Sequence, residues 1–293
     1  MRKDISFLSD GRKLAGHLDL PDGAGAAKPP VLVVVGASSG TKQQTPTTYS
    51  ERLVRLGYAT LIFDHSTYGE SEGTPRCDEN PFFKSEDIKS AVTFLAGRPE
   101  IDANRIGAIG VCGGGGFVSY TAVVDRRIKA VATISSIPDL RATLTEGFAG
   151  NWHDLMRAAL SAREEFARGG DPLYVPFMPP GPQSEWVENG KRYYLTSRNP
   201  DPRWQNQTLL WSFDKMLQFS ALDIIHLLAP TPLLVIAGSK AETLAQSEAA
   251  YAKAKQPKEL FLIDGGTHFD FYDRPEYVGP AVDRIDRFMQ EHL

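Results

Sequence analysis

The segment Gly110-Val111-Cys112-Gly113-Gly114 sets a thiol inside the pattern glycine–any–nucleophile–any–glycine. That pattern describes a sharp strand-to-helix turn with a nucleophile at its tip. The turn strains the backbone of its central residue and needs small neighbours, which Gly110 and Gly114 supply. A helix starting there aims its first amides at the sulfur, so a lowered thiol pKa is expected. No register of the segment fits G-x-G-x-x-G, and Gly36-Ala-Ser-Ser-Gly40-Thr-Lys42 does not fit the phosphate-binding G-x-x-x-x-G-K-[ST], so dinucleotide and P-loop chemistry are set aside.

A thiol nucleophile needs a base, and six histidines are available. His268, in Asp264-Gly-Gly-Thr-His268, directly follows the apolar run that ends at Ile263 and is the candidate base. His17 and His292 read as solvated. His153 and His226 fall in or beside a long insertion, and His65 follows a strand end and could line a pocket. An orienting carboxylate is expected at Glu242, in Gly238-Ser-Lys-Ala-Glu242 after the run Leu233–Ala237, with Asp139 as the competing acid. A tetrahedral intermediate needs two N–H donors. Gly113 supplies one, and the loop after Val31–Val35 supplies the other, from Ser38 or alternatively Ser39.

These residues must be carried by regular elements. Short β-branched runs predict strands at Val31–Val35, Tyr58–Phe63, Arg105–Val111, Lys129–Ile134, Pro232–Ala237 and Glu259–Ile263. Between them, helices are predicted near Thr48–Leu56, Ser85–Leu95, Gly114–Val124, Glu242–Ala254 and Glu276–Glu291. Strand–helix alternation implies an α/β fold with a mostly parallel central sheet flanked by helices, and the residues around Asp10-Gly11 add an N-terminal antiparallel hairpin. The rhythm breaks over 138–225, a stretch rich in aromatic residues and proline, read as a cap or lid insertion within a single 1–293 domain.

Length and composition agree with one large domain: 293 residues, 42% hydrophobic, formal net charge -4. Without an excess of Lys and Arg, no nucleic-acid or membrane partner is expected. The N-terminus has no signal-peptide pattern, and no run approaches a membrane span, so a cytoplasmic enzyme is expected. Cys77 and Cys112, the two cysteines, are neither a disulfide framework nor a zinc set. No cofactor and no metal are expected. The expected partner is a small-molecule acyl substrate, with a homo-oligomer left possible.

The whole chain resembles the α/β-hydrolase superfamily and, within it, the dienelactone-hydrolase-like group with a cysteine nucleophile. The segments that carry the resemblance are GASSGTKQQT, FDHSTYGESEG, GVCGGGG, GSKAE and GGTHFDFYD. The resemblance implies a Cys112, Glu242, His268 triad with an oxyanion hole at Gly113 and Ser38. It also implies cleavage of an ester, lactone or thioester through a thioester acyl-enzyme. Glutamate in place of the more usual aspartate and the long insertion depart from the group, so the substrate is not inherited. Two other functions share these features: an acyltransferase or cyclase of secondary metabolism using the same thiol, and a silent relative that binds a small ligand.

Overall fold

Five consecutive residues of one strand, Val31–Val35, are all buried, as a strand covered on both faces requires. The computed structural model describes residues 1–23, 28–147 and 151–293. Its main sheet contains β1 (Arg2–Ser9), β2 (Arg12–Asp19), β3 (Val31–Val35), β4 (Ala59–Phe63), β5 (Ile106–Val111) and β6 (Ile128–Ile134). Two later strands, β9 (Leu233–Gly238) and β10 (Lys258–Ile263), complete it, and a separate short pair comprises β7 (Tyr174–Val175) and β8 (Thr208–Leu209). The order across the sheet is β1-β2-β4-β3-β5-β6-β9-β10. Strands β1, β2 and β4 pair antiparallel, and the remaining neighbours pair parallel. The opening hairpin turns at Asp10 (φ 45°) and Gly11 (φ 77°), the left-handed pair that a tight two-residue hairpin loop needs.

Helices α1 (Thr45–Arg55), α2 (Pro81–Ala96), α3 (Gly113–Val124), α8 (Leu244–Lys253) and α9 (Pro275–His292) flank the sheet. Helix α2 starts a turn before the predicted Ser85, because Asn80 accepts from the Phe82 and Phe83 amides and Pro81 opens the helix. Between β6 and β9 run α4 (Leu140–Gly147), α5 (Trp152–Ala167), α6 (Glu185–Tyr194) and α7 (Ser212–Gln218). Tyr193 and Tyr194 from this stretch join the main core, whereas Trp211 and Leu209 pack with Ala159 and Ala162 in a smaller cluster. No helix among the described residues is long and apolar enough to cross a membrane.

Two features fix the turn between β5 and α3 and the β3 loop it abuts. The first is backbone proximity: a Cβ on Gly114 would stand 2.6 Å from the Val35 carbonyl oxygen and closer still to that of Gly36. The second is an ion pair behind the β3 loop. Lys84 of α2 donates to both oxygens of Glu79 at 2.6 and 2.8 Å, with both side chains buried. Glu79 in turn accepts from the Ser39 amide and the Tyr68 hydroxyl, each at 2.8 Å.

Gly114→Ala is expected to cost about 2 kcal/mol or more, because the overlap is with backbone that cannot rotate away. A urea midpoint equal to that of the parent would show that the turn has slack. Lys84→Met leaves the Glu79 carboxylate buried without its cation, so a loss of about 3–5 kcal/mol is expected from the same titration.

Candidate active site

Cys112 stands between β5 and α3 with φ 57° and ψ -127°, a conformation that non-glycine residues rarely adopt. The strain is held by three hydrogen bonds. Its N–H donates to Ile134 O at 3.0 Å, and its carbonyl accepts from the Gly115 and Ile137 amides at 3.0 and 2.9 Å. The side chain sits at the head of α3 and is 5% exposed.

The Gly113 and Ser38 amides both bear on the Cys112 thiol. The two loops are in close contact, since a Cβ on Gly113 would overlap the Ser38 hydroxyl. The Ser38 loop is held from two sides through its neighbour Ser39, which has φ 57°. Glu79 accepts the Ser39 N–H, and the Trp204 indole donates to the Ser39 carbonyl at 2.9 Å. Ser38 is 7% exposed, and its hydroxyl has no hydrogen-bond partner among the described residues.

His268 is fully buried at the start of a 3-10 turn, His268–Tyr272. Its ring is held at both nitrogens: Nδ1 lies 2.7 Å from the Thr243 hydroxyl and Nε2 lies 3.2 Å from the Tyr272 hydroxyl. Among the described residues no hydrogen bond joins the ring directly to the thiol. Tyr272 is the residue they share: its hydroxyl meets Nε2, and it is also a neighbour that pulls the Cys112 pKa down.

The carboxylates differ from the sequence expectation. Glu242 accepts from the His268 backbone N–H at 3.1 Å and from the Asn189 amide at 2.6 Å, and does not hydrogen-bond the ring. The loop after β9 turns Glu242 outward and its neighbour Thr243 inward, so the residue one position along faces Nδ1. Asp139 accepts the Ala142 N–H at 2.9 Å, serving the start of α4. His65, which could have lined the pocket, is buried against Asp87 at 3.1 Å.

Burial dominates the electrostatics. It lowers the His268 pKa to about 4, against the opposing pull of the Glu242 charge. It also raises the Cys112 pKa, outweighing the Tyr272 hydroxyl and the Gly113 and Ser38 amides, all of which favour thiolate. This corrects the lowered thiol pKa expected from the helix terminus. Both shifts favour the uncharged forms, thiol and imidazole. A cavity of about 490 Å³ is lined by Ile137, Trp186 and Leu222 together with Asp139, Glu146, Glu242, Thr243 and Gln246; Cys112 and His268 are not among its lining residues.

Thr243, Tyr272, Glu79 and Trp204 were not singled out as site residues from the sequence. Tyr272 had a usable signal, since it lies four residues after His268 in His268-Phe-Asp-Phe-Tyr272 and one turn brings the two together. Thr243 had none, because a single-residue change of facing in a loop has no periodicity to read.

The comparisons with known proteins agree with this architecture. The model of the α/β-hydrolase fold family matches residues 29–275. The uncharacterized protein PA2218 of Pseudomonas aeruginosa is 34% identical, over 97% of this chain and 78% of that protein. Its crystal structure superposes with a TM-score of 0.93, covering 100% of this chain and 94% of the other at 32% identity. The thiohydrolase aneE of Aspergillus aculeatus is 30% identical over 99% of this chain and 93% of its own. The polyketide transferase claH of Penicillium crustosum is 26% identical over 97% and 95%. With a family match that spans most of its length, this chain belongs to the α/β-hydrolase fold family.

Proposed function

We propose that this protein is an acyl hydrolase in which Cys112 attacks the carbonyl of an ester, lactone or thioester of a small, largely apolar substrate. The observation that carries this reading is the strained Cys112 at the head of α3, with the Gly113 and Ser38 amides acting on its thiol and Tyr272, which hydrogen-bonds the His268 imidazole, as a common neighbour. His268 takes the thiol proton, and sulfur bonds to the carbonyl carbon. The displaced electron pair collects on the carbonyl oxygen, where the Gly113 and Ser38 N–H groups stabilise it. Collapse expels the alcohol or thiol, which recovers the proton from His268. Water then cleaves the thioester acyl-enzyme. Thr243 accepts from Nδ1–H and so leaves Nε2 free to accept. Glu242 acts as the acid through its charge and through the His268 backbone instead of by direct contact with the ring. Residues 138–225 form the cap. This chemistry asks for no metal or organic cofactor.

Transfer to an amine, hydroxyl or thiol is the second reading. It is favoured by the burial of Cys112 and His268, which shields an acyl-enzyme from water. The relatives carry both names, a thiohydrolase and a polyketide transferase. Product analysis with water alone and with added acceptors separates the two.

Cys112→Ala is expected to lower turnover of an activated aryl ester on the order of 10³-fold or more and to remove the acyl adduct from the intact mass. A variant that still gives burst release would exclude the thiol mechanism. Because burial disfavours the imidazolium, His268 stays a competent base down to about pH 4. The acid limb of the acylation rate is therefore expected near that value and not near the ordinary 6.5. A limb at 6.5 would mean that the ring is hydrated in the working enzyme.

A further inference from the structure

Tyr272 closes the turn that His268 opens, and its ring packs on the imidazole with centroids 5.6 Å apart. The residue is buried in the core, where a phenylalanine would fill the same space. Its hydroxyl nevertheless lies 3.2 Å from His268 Nε2, and the Cys112 thiol and the Tyr194 hydroxyl of α6 are near enough for each to bear on its protonation. With Nδ1 occupied by Thr243, Nε2 is the ring's remaining nitrogen, and the donor it faces is Tyr272.

We infer that Tyr272 is a catalytic residue whose hydroxyl carries the Cys112 proton to His268 Nε2. The inference rests on the nucleophile and base assigned under the proposed function and adds the path between them. As sulfur bonds to the carbonyl carbon, the S–H proton moves to the Tyr272 oxygen while the phenolic proton moves to Nε2. The phenol remains neutral, sulfur is left with its bonding pair for carbon, and the imidazolium keeps its Nδ1–H on Thr243. When the leaving group departs, the Nε2 proton passes back through the Tyr272 hydroxyl to the leaving oxygen or sulfur, because Cys112 now holds the acyl group. Burial holds the Tyr272 hydroxyl far above its ordinary pKa, which suits a group that passes a proton without ionising. Around the path the titratable groups are Cys112, His268 and Tyr194. The Glu79 charge acts on Cys112 and Tyr194, and the Glu242 charge on His268.

Tyr272→Phe keeps the ring and deletes the hydroxyl. Single-turnover acylation by an activated aryl ester is expected to slow on the order of 10²-fold. The pH midpoint for iodoacetamide alkylation of Cys112 should also rise, because the thiolate loses a donor. Acylation at the parent rate, or slower acylation with an unmoved alkylation midpoint, overturns the relay, the latter outcome assigning Tyr272 to packing alone. Cys112→Ala run in parallel keeps the two readings apart. If it still turns the ester over, the nucleophile is misassigned. If it is silent while Tyr272→Phe matches the parent, the relay alone falls. Should Tyr272→Phe not fold, an isosteric difluorotyrosine at residue 272, with its more acidic hydroxyl, should lower the alkylation midpoint, and an unshifted midpoint overturns the proposal.

Discussion

The close approach of α3 to the carboxyl ends of β3 and β5 is the constraint on which the site depends. Gly110 and Gly114 lie so near one another that a Cβ on Gly110 would overlap the Gly114 backbone, and Gly114 meets the last carbonyls of β3 in the same way. A chain that must climb from a strand into a helix within that space cannot keep Cys112 at a negative φ. The strain is offset by backbone hydrogen bonds to the end of β6 and to Ile137. One turn therefore sets the height of the sulfur, the direction of the first α3 amide and the distance to the Ser38 loop.

Dryness is the second condition, and it acts on every ionisable group in the site. The thiol pKa is pushed up and the imidazole pKa down, so burial favours the uncharged form of each. The charges the site does use stand one step away. Glu79 and Lys84 neutralise each other behind the Ser39 amide, and Glu242 meets the backbone of His268 on a more exposed edge. Hydroxyls, which cost less to bury than carboxylates, make the direct contacts with the ring.

The chain between β6 and β9 is tied to these loops by polar contacts at several points. Trp204 holds the Ser39 carbonyl, Asn189 holds Glu242, Arg198 pairs with Asp273 beyond the histidine turn, and Arg203 pairs with Glu70. The stretch is thus bonded to both the Ser38–Ser39 loop and the loops around His268. A shift of α6 would be felt at Glu242 and at Tyr194, which neighbours Tyr272.

The sequence by itself determined the α/β alternation, the sheet strands and the sharp turn at Cys112. Those features are local: β-branched runs, glycine spacing around one residue, and apolar faces with a helical period. It also marked His268 and Ser38 as loop residues after strand ends, because strand limits are visible in hydrophobic runs. Tertiary structure alone decided which side chain faces which. The imidazole took Thr243 in place of Glu242 because a loop turns one residue inward and the next outward, and hydropathy does not encode that choice. Glu79 and Lys84 found each other across the start of α2, and the Tyr272 hydroxyl came to the His268 ring, through packing. The sign of the thiol's pKa shift was likewise set by burial in the assembled core, which opposes and exceeds the helix-terminus effect that the sequence could suggest.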